Sequence, residues 1–575
     1  MKTKNTLIIL TLPLLLSGCG FFSPLPNSSK DGDSTNISET STNNPNSNSE
    51  TSFGEGEAPN DTYMDFGLNS NNLKSNQLAL NKYGDYVEFT SNTNKDLAEE
   101  YNKLLTSVKG KKNGVFQTDY QQGLLDFFDY TKHVKVILDM SNKTKEALQK
   151  DYEMKNTESY RPIDLDLYFD DMHFHFRQVG IRQKGNTSRT DIYDENHVFN
   201  LEHWKLSFEE TFDDEYTLTK AKWFNEEAYT FRQDRKFFGT SKINFRFNRN
   251  LETTYIREHY ASNMYRQNGS LAASTNPVNF SVKLDNKEYN LGVYLAVENI
   301  DKSFIKRNII KDSRNGDLYK LSYTSMGPAN FNPDSVSKIG LDYLTLRNNK
   351  YDEAKYVYSI KTNKTTTSHA DLKNFINTLS NTRGADSLTF MDTYSDLDSY
   401  VSFCALSYLL GDPDDLRGNY NNAYVYFTGD THKAIFIPTD LDRVLGSTGG
   451  EGNNPTGNHG ALTKPFDKNT GYARGNDSNL FNKTLFSTNA IDMRSRYLTR
   501  ISEIIEAGWM NIDKFNEYFN YSNNNYKDEV KISNGIGGSY VSFSVSEANK
   551  DLYNSENLDV KTFMENKVNT FNNNK

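Results

Sequence analysis

Long hydrophobic runs and an excess of basic residues are both missing from this 575-residue chain. Beyond the N-terminus, no segment stays apolar over the roughly 20 positions that a membrane-spanning helix needs. Lys and Arg together number 65 against 75 Asp and Glu, which gives a formal net charge of −10. Because a negative chain repels a phosphate backbone, this balance argues against general nucleic-acid binding, and we expect no DNA or RNA partner.

The one apolar run lies at the very N-terminus, behind two lysines. Residues 7–16 are apolar but too few to form a stable spanning helix, a pattern typical of a secretory signal. The sequence LSGC at residues 16–19 closely resembles the lipobox of bacterial lipoproteins, in which the cysteine is acylated and becomes the new N-terminus. We therefore expect a signal peptide over residues 1–18 and a lipid on Cys19 that anchors the mature chain to the extracytoplasmic face of the cell membrane.

Cysteine is equally scarce, since Cys19 and Cys404 are the only two in the chain. With Cys19 expected to carry lipid, a disulfide within the chain is excluded. Cys404 recurs with Leu397, Val401 and Tyr408 at helical spacing, and a predicted helix over these residues would end at the following glycine. This position favours a core residue over a nucleophile.

Composition divides the mature chain into regions. Residues 19–61 are mostly Ser, Asn, Thr, Gly, Pro and Glu, which predicts a disordered tether. Residues 62–125 form an extension of unknown role, with one helix predicted over 97–108. Strand patterns dominate residues 126–330, and helical patterns with an Asn-rich tail dominate 331–575. The order predicts an α+β fold, with a β-rich N-terminal lobe before a helix-rich C-terminal lobe.

Acidic and amide side chains gather around one predicted hairpin. Residues 424–427 and 434–437 are aromatic or β-branched runs separated by turn residues, so we expect them to pair. Pairing would bring the loop before the first strand next to the loop after the second. Seven oxygen-bearing side chains lie in these loops: Asp412, Asp414, Asp415, Asn421, Asn422, Asp440 and Asp442. Such groups suit Mg²⁺ or Mn²⁺, although Asp and Asn also stabilise ordinary loops by bonding their own backbone.

Other candidate residues lie on the strands predicted in the first half. One strand runs into KGNTSR at residues 184–189, a turn whose backbone N–H groups and cationic side chains could hold a phosphate. Lys205 and Lys242 each alternate with apolar residues on later strands, as a ligand-facing or a solvent-facing lysine would. His173 and His175 would lie on one face of a strand and could supply two metal ligands, but no third ligand is near in sequence.

Seven segments resemble the spore-coat protein H (CotH) kinase family, which comprises atypical extracytoplasmic protein kinases. In chain order they are IRQKGNTSR, HWKLSF, TYIREHYASNMYRQNG, NLGVYLAVENIDKSF, GDLYK, GDPDDLRGNYNNAYVYF and IPTDLDRVLG, all between Tyr130 and Leu462. The resemblance implies a diverged protein-kinase-like two-lobe fold. It also implies ATP with Mg²⁺ or Mn²⁺ as cofactors, and transfer of the γ-phosphate to Ser or Thr of a surface or secreted protein.

The resemblance implies roles for single residues of the acidic loops. Asp414 matches the family's catalytic-loop Asp, which would accept the proton of the attacking hydroxyl, and the adjacent Asp415 is the alternative. Asn422 matches the loop Asn that helps to hold metal, with Asn421 as its rival. The family's metal-binding block supplies two further carboxylates, Asp440 and Asp442.

The resemblance also implies nucleotide-binding residues. Lys205 looks like the lysine that meets the phosphates, but an apparent insertion over residues 209–237 leaves Lys242 as the alternative. Glu258 is expected to pair with Lys205, and Glu298 falls near the hinge that would run beside the nucleotide. The loop that covers the phosphates would be Gly185, Asn186, Thr187 and Ser188.

A function of another class stays open beside the kinase. A non-catalytic surface adhesin or binding protein could retain a kinase-like scaffold, because a fold does not establish a function. The expected location outside the cytoplasm, where ATP is scarce, and the long tether favour this alternative. The complete acidic set around the hairpin favours the enzyme.

Overall fold

The structure is a computed structural model. It describes residues 84–89, 121–169, 171–185, 188–194, 199–212, 232–233, 235–250, 252–447, 459–468, 478–536, 544–547 and 558–575. The expected signal peptide, Cys19, the tether and the helix predicted over 97–108 lie outside the described residues. No helix within these ranges combines the length and the apolar character that crossing a bilayer requires.

Seven strands close into a barrel-like sheet. The strands of the first half are β1 (Tyr86–Phe89), β2 (Val134–Met140), β3 (Arg161–Phe169), β4 (Met172–Lys184), β5 (His203–Ser207), β6 (Lys242–Phe247), β7 (Thr275–Leu284) and β8 (Lys287–Glu298). The ring order is β4-β3-β2-β7-β8-β6-β5, and β5 pairs back with β4. Among the described strands of this sheet, only β2 and β7 run parallel to each other. β1 pairs with the first residues of β4, on the same edge of β4 where β5 pairs with its last residues.

Alternation of side chains fills the barrel interior and leaves polar residues outside. On β5, Trp204 and Leu206 are fully buried in the barrel core, while Lys205 between them is only half-buried. The same alternation applies to β6, where Phe245 is buried and its neighbours are polar. Large aromatic side chains such as Trp204 and Phe245 belong to this core, and each removes a large apolar area from water. The strands predicted from period-two alternation are confirmed.

Local sequence signals also place the turns and the helix starts. Two strand patterns within residues 279–300 flank Asp285-Asn286 and predict a hairpin, which β7 and β8 form. The two turn residues have φ angles of 50° and 64°. Asn and Asp tolerate this left-handed region, which hairpin turns require. The hydroxyl of Ser141 accepts a hydrogen bond from the amide of Thr144 at 3.1 Å and caps the following helix, as predicted.

A second sheet forms in the other half of the chain. Its strands are β9 (Asp317–Leu321), β10 (Ile339–Gly340), β13 (Tyr358–Ile360), β14 (Ala423–Phe427) and β15 (Ala434–Pro438), in the order β10-β13-β9-β14-β15. A separate hairpin pairs β11 (Tyr343–Arg347) with β12 (Lys350–Ala354). The predicted acidic hairpin is β14–β15, with Ala423 opposite Pro438. Its two loops therefore do meet at one rim.

The helices surround both sheets. They are α1 (Gln121–Phe127), α2 (Asn142–Met154), α3 (Arg257–Gln267), α4 (Lys302–Asn308), α5 (Ala370–Asn381), α6 (Ser387–Tyr394), α7 (Leu397–Leu410), α8 (Leu416–Asn419), α9 (His459–Leu462), α10 (Asn479–Thr484), α11 (Ile491–Glu506), α12 (Ile512–Ile536) and α13 (Val560–Asn572). Short 3₁₀ helices span Lys311–Ser313, Pro333–Lys338 and Gly384–Asp386. The mixture of helices and sheets confirms the α+β class.

Helix α7 ends as the sequence predicts, whereas α3 starts later than predicted. Gly411 follows α7 with a φ of 65°, and Cys404 within the helix is buried in the core. The helical spacing of Ile256, Tyr260 and Met264 predicts a helix over residues 252–268, but α3 begins at 257. The carboxylate of Glu252 instead accepts from the amide of Thr254 at 2.6 Å, and Tyr255 has a φ of 59°. This local turn competes with the helix and delays its start.

A small apolar cluster joins the barrel to the second sheet. It contains Leu295 and Val297 of β8 and the buried side chains of α4, and it continues onto one face of the β14–β15 hairpin. The hairpin is therefore packed against the end of the barrel. Its acidic rim consequently lies beside the polar outer faces of β4, β5 and β6.

Candidate phosphate and metal site

Asp414 is a half-buried carboxylate that two amide side chains hold in place. It lies in the loop between α7 and α8, where Oδ1 accepts a hydrogen bond from Asn419 Nδ2 at 2.6 Å. Oδ2 accepts from Asn422 Nδ2 at 3.2 Å. The amide of Asp414 in turn donates to the buried carboxyl of Asp412 at 2.8 Å. Both oxygens of Asp414 thus have a defined orientation while the side chain keeps access to solvent.

Asp415, the adjacent acid, is used by the fold. Its side chain is 6% exposed, caps α8 by accepting from the amide of Gly418 at 2.7 Å, and accepts a second hydrogen bond from the hydroxyl of Ser407. Burial raises the pKa of Asp415. The two carboxylates that the sequence could not separate therefore face in different directions, and Asp414 is the one at the rim.

The two neighbouring asparagines differ in the same way. Asn421 Oδ1 accepts a hydrogen bond from the amide of Tyr323 at 3.0 Å, so its oxygen is already engaged. Asn422 Nδ2 donates a hydrogen bond to Asp414. The backbone carbonyl of Asn422 accepts a hydrogen bond from the backbone amide of Thr439 at 3.0 Å. Asn422 therefore connects the Asp414 loop to the Asp440 loop. It is the better placed of the two for a metal ligand.

Asp440 and Asp442 are held by an arginine from the barrel. The guanidinium of Arg246, on β6, forms ion pairs with Asp440 and, at 3.5 Å, with Asp442 Oδ2. The same guanidinium contacts Glu258 Oε1 of α3 at 2.5 Å. Asn250 Nδ2 donates to Asp442 Oδ2 at 2.9 Å. One buried cation thus gathers three carboxylates from two separate parts of the chain, α3 and the loop after β15.

These charges set the protonation of the acidic groups. Burial acts against ionisation of Asp440, but Arg246 and then Lys184 hold its pKa well below the usual range. Burial raises the pKa of Glu258 to about 7, in spite of Arg246. The pKa of Asp414 is raised to about 6 by burial, with Asp440 contributing repulsion. Asp440 is therefore a permanent anion, whereas Asp414 titrates close to neutral pH.

Three partly buried lysines face the acidic rim. Lys184 ends β4, Lys205 is on β5, and Lys320 is on β9 opposite Tyr424 of the hairpin. In the described part of the chain none of their ammonium groups has an acidic partner within ion-pair distance. Burial lowers the pKa of all three, to about 7 for Lys184, and other cations add to the effect. Uncompensated cations in this setting form a site for an anion.

Strand register aligns further polar side chains with Lys205. Arg182 of β4 and Asn244 of β6 are its direct partners, so the three lie in one row across the outer face of the barrel. Lys242, the alternative to Lys205, contacts Glu209 Oε1 at 3.2 Å. Lys242 therefore has an acidic partner, which it shares with Lys236. Lys205 is therefore the lysine of this pair that remains available to a phosphate.

The glycine turn after β4 is only partly described, because Asn186 and Thr187 lie outside the described residues. Gly185 has a φ of 120°, and a Cβ atom added there would lie 2.0 Å from the hydroxyl oxygen of Ser188. The position therefore requires glycine for both conformation and space. Ser188 is buried and folds its hydroxyl over the turn. Whether this turn covers a phosphate stays a prediction.

The two glutamates inferred by resemblance have other partners. Glu258 was expected to pair with Lys205, but the structure pairs it with Arg246, which is the cation nearest to it on the adjoining strand. Glu298 is 2% exposed at the end of β8, where it forms an ion pair with Arg307 and accepts from the amide of Ser274 at 3.1 Å. The carboxylate of Glu298 is therefore engaged by other residues of the fold. A nucleotide beside Glu298 would contact the main chain of this residue and not its carboxylate.

The acidic rim fits a metal that is completed by substrate oxygens. Asp440, Asp442 and the amide oxygen of Asn422 are the donor types that Mg²⁺ and Mn²⁺ prefer. Asp440 and Asp442 supply two carboxylates, and the group of three acidic or histidine side chains that the described residues bring within 4.8 Å of one another lies elsewhere. Mg²⁺ in nucleotide sites characteristically takes one or two carboxylates plus phosphate oxygens. The donor set therefore fits such an ion.

Sequence reasoning missed Arg246 and Lys320 as members of the site. A signal existed for Arg246, because it shares the polar face of β6 with Lys242 and Asn244 at spacings of two. Nothing local distinguishes Lys320, which reaches the rim only because β9 pairs with β14. Lys184 was recognised as a charge near the turn, but its position beside Asp440 was not.

Comparison with known proteins agrees with these observations. The family described as CotH kinase protein matches residues 181–569, well over half of the chain. The match begins within β4 and ends within α13, so it extends past Leu462, where the seven similar segments end. The curated proteins contain no match to this chain. The match includes the acidic hairpin, the basic face of β5 and β6, and the helices around the second sheet, and the chain therefore belongs to the CotH kinase protein family.

Proposed function

We propose that this chain is an ATP-dependent protein kinase that acts outside the cytoplasm. The observation that carries the proposal is the opposition of two charged surfaces. Lys184, Lys205 and Lys320 lack acidic partners in the described part of the chain, and the carboxylates of Asp414 and Asp440 lie at the rim that they face. Phosphoryl transfer needs this combination, because its transition state is stabilised by positioning and by charge neutralisation.

The cationic residues have the role of binding the nucleotide phosphates. Lys184, Lys205 and Lys320 would each gain an anionic partner, which removes the cost of burying an unpaired ammonium. The turn of Gly185, Asn186, Thr187 and Ser188 would add backbone N–H groups. Lys242 is left as a structural cation because it already has an acidic partner, Glu209.

The acidic residues divide between metal binding and proton transfer. Asp440, the amide oxygen of Asn422 and Asp442 would hold Mg²⁺ or Mn²⁺, which supplies neutralisation of the phosphate charge. Asp414 would accept the proton of the acceptor hydroxyl, and the amides of Asn419 and Asn422 orient it for this task. A carboxylate with a pKa near 6 suits a general base that works close to neutral pH.

The proposed domain organisation is the one that the sequence predicts. We assign residues 126–330, with the barrel, to the N-terminal lobe of a diverged two-lobe kinase-like fold, and residues 331–575 to the C-terminal lobe. Residues 1–18 would be a signal peptide, Cys19 the lipid attachment site, and 19–61 a tether that holds the kinase off the membrane. The role of residues 62–125 is not assigned. A protein with an acceptor Ser or Thr at the cell surface is the proposed substrate.

Radiolabel transfer tests the proposal directly. The full-length chain, purified in detergent, is incubated with γ-labelled ATP, Mn²⁺ or Mg²⁺, and a generic acidic protein as acceptor. We expect label on an acceptor or on the chain itself, and its loss in Asp440→Asn. Asp398→Asn is the matched control, because the side chain of Asp398 is 94% exposed and has no part in the proposed site.

Two outcomes would contradict the assignment. Equal labelling by the parent and by Asp440→Asn would exclude Asp440 as a metal ligand. Absence of label from the folded parent, together with no calorimetric binding of Mn²⁺-ATP, would refute the kinase and favour a binding protein on the same scaffold.

A further inference from the structure

A second cluster of ligand-type side chains lies outside the phosphate site. Asp166 of β3 and His173 and His175 of β4 share one face of the β3–β4 hairpin, with Asp166 directly opposite His175. Asp166 Oδ1 lies 2.7 Å from His173 Nε2 and 2.7 Å from His175 Nδ1. All three ligand atoms fall within 4.8 Å of one another. The sequence had placed the two histidines on one face, and the neighbouring strand supplies the third group.

This cluster is far from the kinase centre. His175 and Lys184 are on the same strand, β4, and nine residues of strand at about 3.3 Å each separate them by roughly 30 Å. The cluster therefore lies near the start of β4, whereas the phosphate site lies at its end. An ion bound at the cluster is too distant to touch a nucleotide at Lys184.

Aromatic side chains hold the two imidazoles in place. Tyr86 of β1 contacts His173 Nδ1 with its hydroxyl at 3.3 Å and stacks on the ring of His175 at a centroid distance of 5.0 Å. Tyr168 stacks on the other side of His173 at 4.1 Å. A partner at Nδ1 turns Nε2 of His173 toward Asp166, as supporting groups do around metal-binding histidines. The donor atoms are thus oriented before any ion binds.

The donor set identifies the class of ion. Two imidazole nitrogens with one carboxylate oxygen suit Zn²⁺ and related transition metals, whereas Mg²⁺ and Ca²⁺ prefer oxygen alone. With metal–ligand bonds of about 2.0–2.1 Å, the ligand atoms of a tetrahedral site are about 3.4 Å apart. The 2.7 Å distance from Asp166 Oδ1 to each imidazole nitrogen therefore needs to widen by less than about 1 Å. The exposed fractions of the side chains are 15% for Asp166, 14% for His173 and 8% for His175. The site is shielded but reachable from solvent.

One carboxylate oxygen is shared between the two rings. Asp166 Oδ1 contacts both imidazoles, so without a cation this single oxygen must serve two rings at once.

We propose that Asp166, His173 and His175 bind one divalent transition-metal ion, Zn²⁺ in the first instance, with a fourth position open to water. The bound ion would cross-link β3 and β4 and, through Tyr86, fix β1 on the barrel. This site is separate from the Mg²⁺ or Mn²⁺ site of the proposed kinase and does not depend on it. The alternative is that the same contacts are only a hydrogen-bonded ion pair.

Metal binding to the untagged full-length chain distinguishes these alternatives. After treatment with EDTA and removal of the chelator, Zn²⁺ is titrated by calorimetry, and Co²⁺ is added to a second sample as a spectroscopic probe. We expect one ion per chain, an increase in melting temperature, and visible Co²⁺ bands of a tetrahedral N/O site. His173→Gln should reduce Zn²⁺ affinity at least tenfold and abolish those bands.

A matched control separates this site from adventitious surface binding. His432 also contacts a carboxylate, Asp371 Oδ2 at 3.0 Å, but its side chain is 63% exposed and the described residues supply no third ligand. His432→Gln should bind Zn²⁺ as the parent does. Equal Zn²⁺ binding by the parent and His173→Gln, or no Zn²⁺ binding by the folded parent, would overturn the proposal. If His173→Gln does not fold, His175→Asn and the Co²⁺ spectrum of the parent decide the question.

Discussion

Asp414 and Asp415 are adjacent in sequence, yet the structure predicts opposite consequences when they are replaced. Asp414→Asn removes the proposed base but keeps an oxygen that can accept from Asn419 or Asn422, so about one hydrogen bond is lost. We expect turnover to fall by about 10²–10⁴-fold. The melting temperature should fall by only a few degrees, because the loss of a bond to a charged acceptor, about 1.5–3 kcal/mol, is partly offset by removing a carboxylate whose ionisation burial opposes.

Asp415→Ala should have the reverse effect. The change removes the cap on α8, worth about 1 kcal/mol, and the hydrogen bond from the buried hydroxyl of Ser407, worth about 1.5–3 kcal/mol if the carboxylate is charged. A total of roughly 2–4 kcal/mol corresponds to a fall in melting temperature of roughly 5–10 °C for a domain of this kind. Below that temperature the phosphotransfer rate per folded molecule should stay close to that of the parent.

The assay combines calorimetric melting with initial rates of label transfer at 20 °C. The pH profile adds a second criterion, since Asp414 must be ionised to accept a proton. With its pKa at about 6, kcat/KM should rise with pH up to about 6 and level off above it. Asp414→Asn should lack this dependence. Loss of activity in Asp415→Ala with full activity in Asp414→Asn would refute our assignment of the two carboxylates.

Two further predictions concern a lysine pair and the buried cysteine. Lys205→Met should raise the KM for ATP at least tenfold. Lys242→Met should change this KM by less than threefold, because Lys242 already has an acidic partner, Glu209. Steady-state kinetics measure both values. Equal effects of both changes would contradict the assignment of Lys205. Cys404 should resist a thiol reagent at pH 8, because burial raises its pKa to about 12; peptide mapping should find it labelled only after denaturation, and labelling of the native chain would refute this.

Much of the local structure could be predicted because it depends on neighbours in sequence. Alternation of buried and polar residues is enough to place β5, and two short apolar runs separated by turn residues are enough to place the strands of the acidic hairpin. Helix α7 ends at Gly411 because a glycine reaches a φ of 65° without strain. The delayed start of α3 could not be predicted, since the side chain of Glu252 competes with the helix by bonding its own backbone.

The candidate site could be predicted only in part, for the same reason. The acidic loops were expected to meet because a short hairpin forces them together. The choice between Asp414 and Asp415 required the third dimension, because it depends on which carboxylate reaches Ser407 across the loop. Lipid attachment at Cys19 and the phosphate role of Asn186 and Thr187 stay predictions.

By itself, the sequence determined the elements, their order, the resemblance to the CotH kinases and the residue types at the rim. Tertiary structure alone decided which of those residues meet. Asn250 and Asp442 are in contact although 192 positions separate them, and Arg246 reaches Asp440 by the same packing of barrel against hairpin. Asp166 joins His173 and His175 through strand pairing. Such contacts depend on barrel closure and register, which are set by the burial of the whole core and leave no local signal.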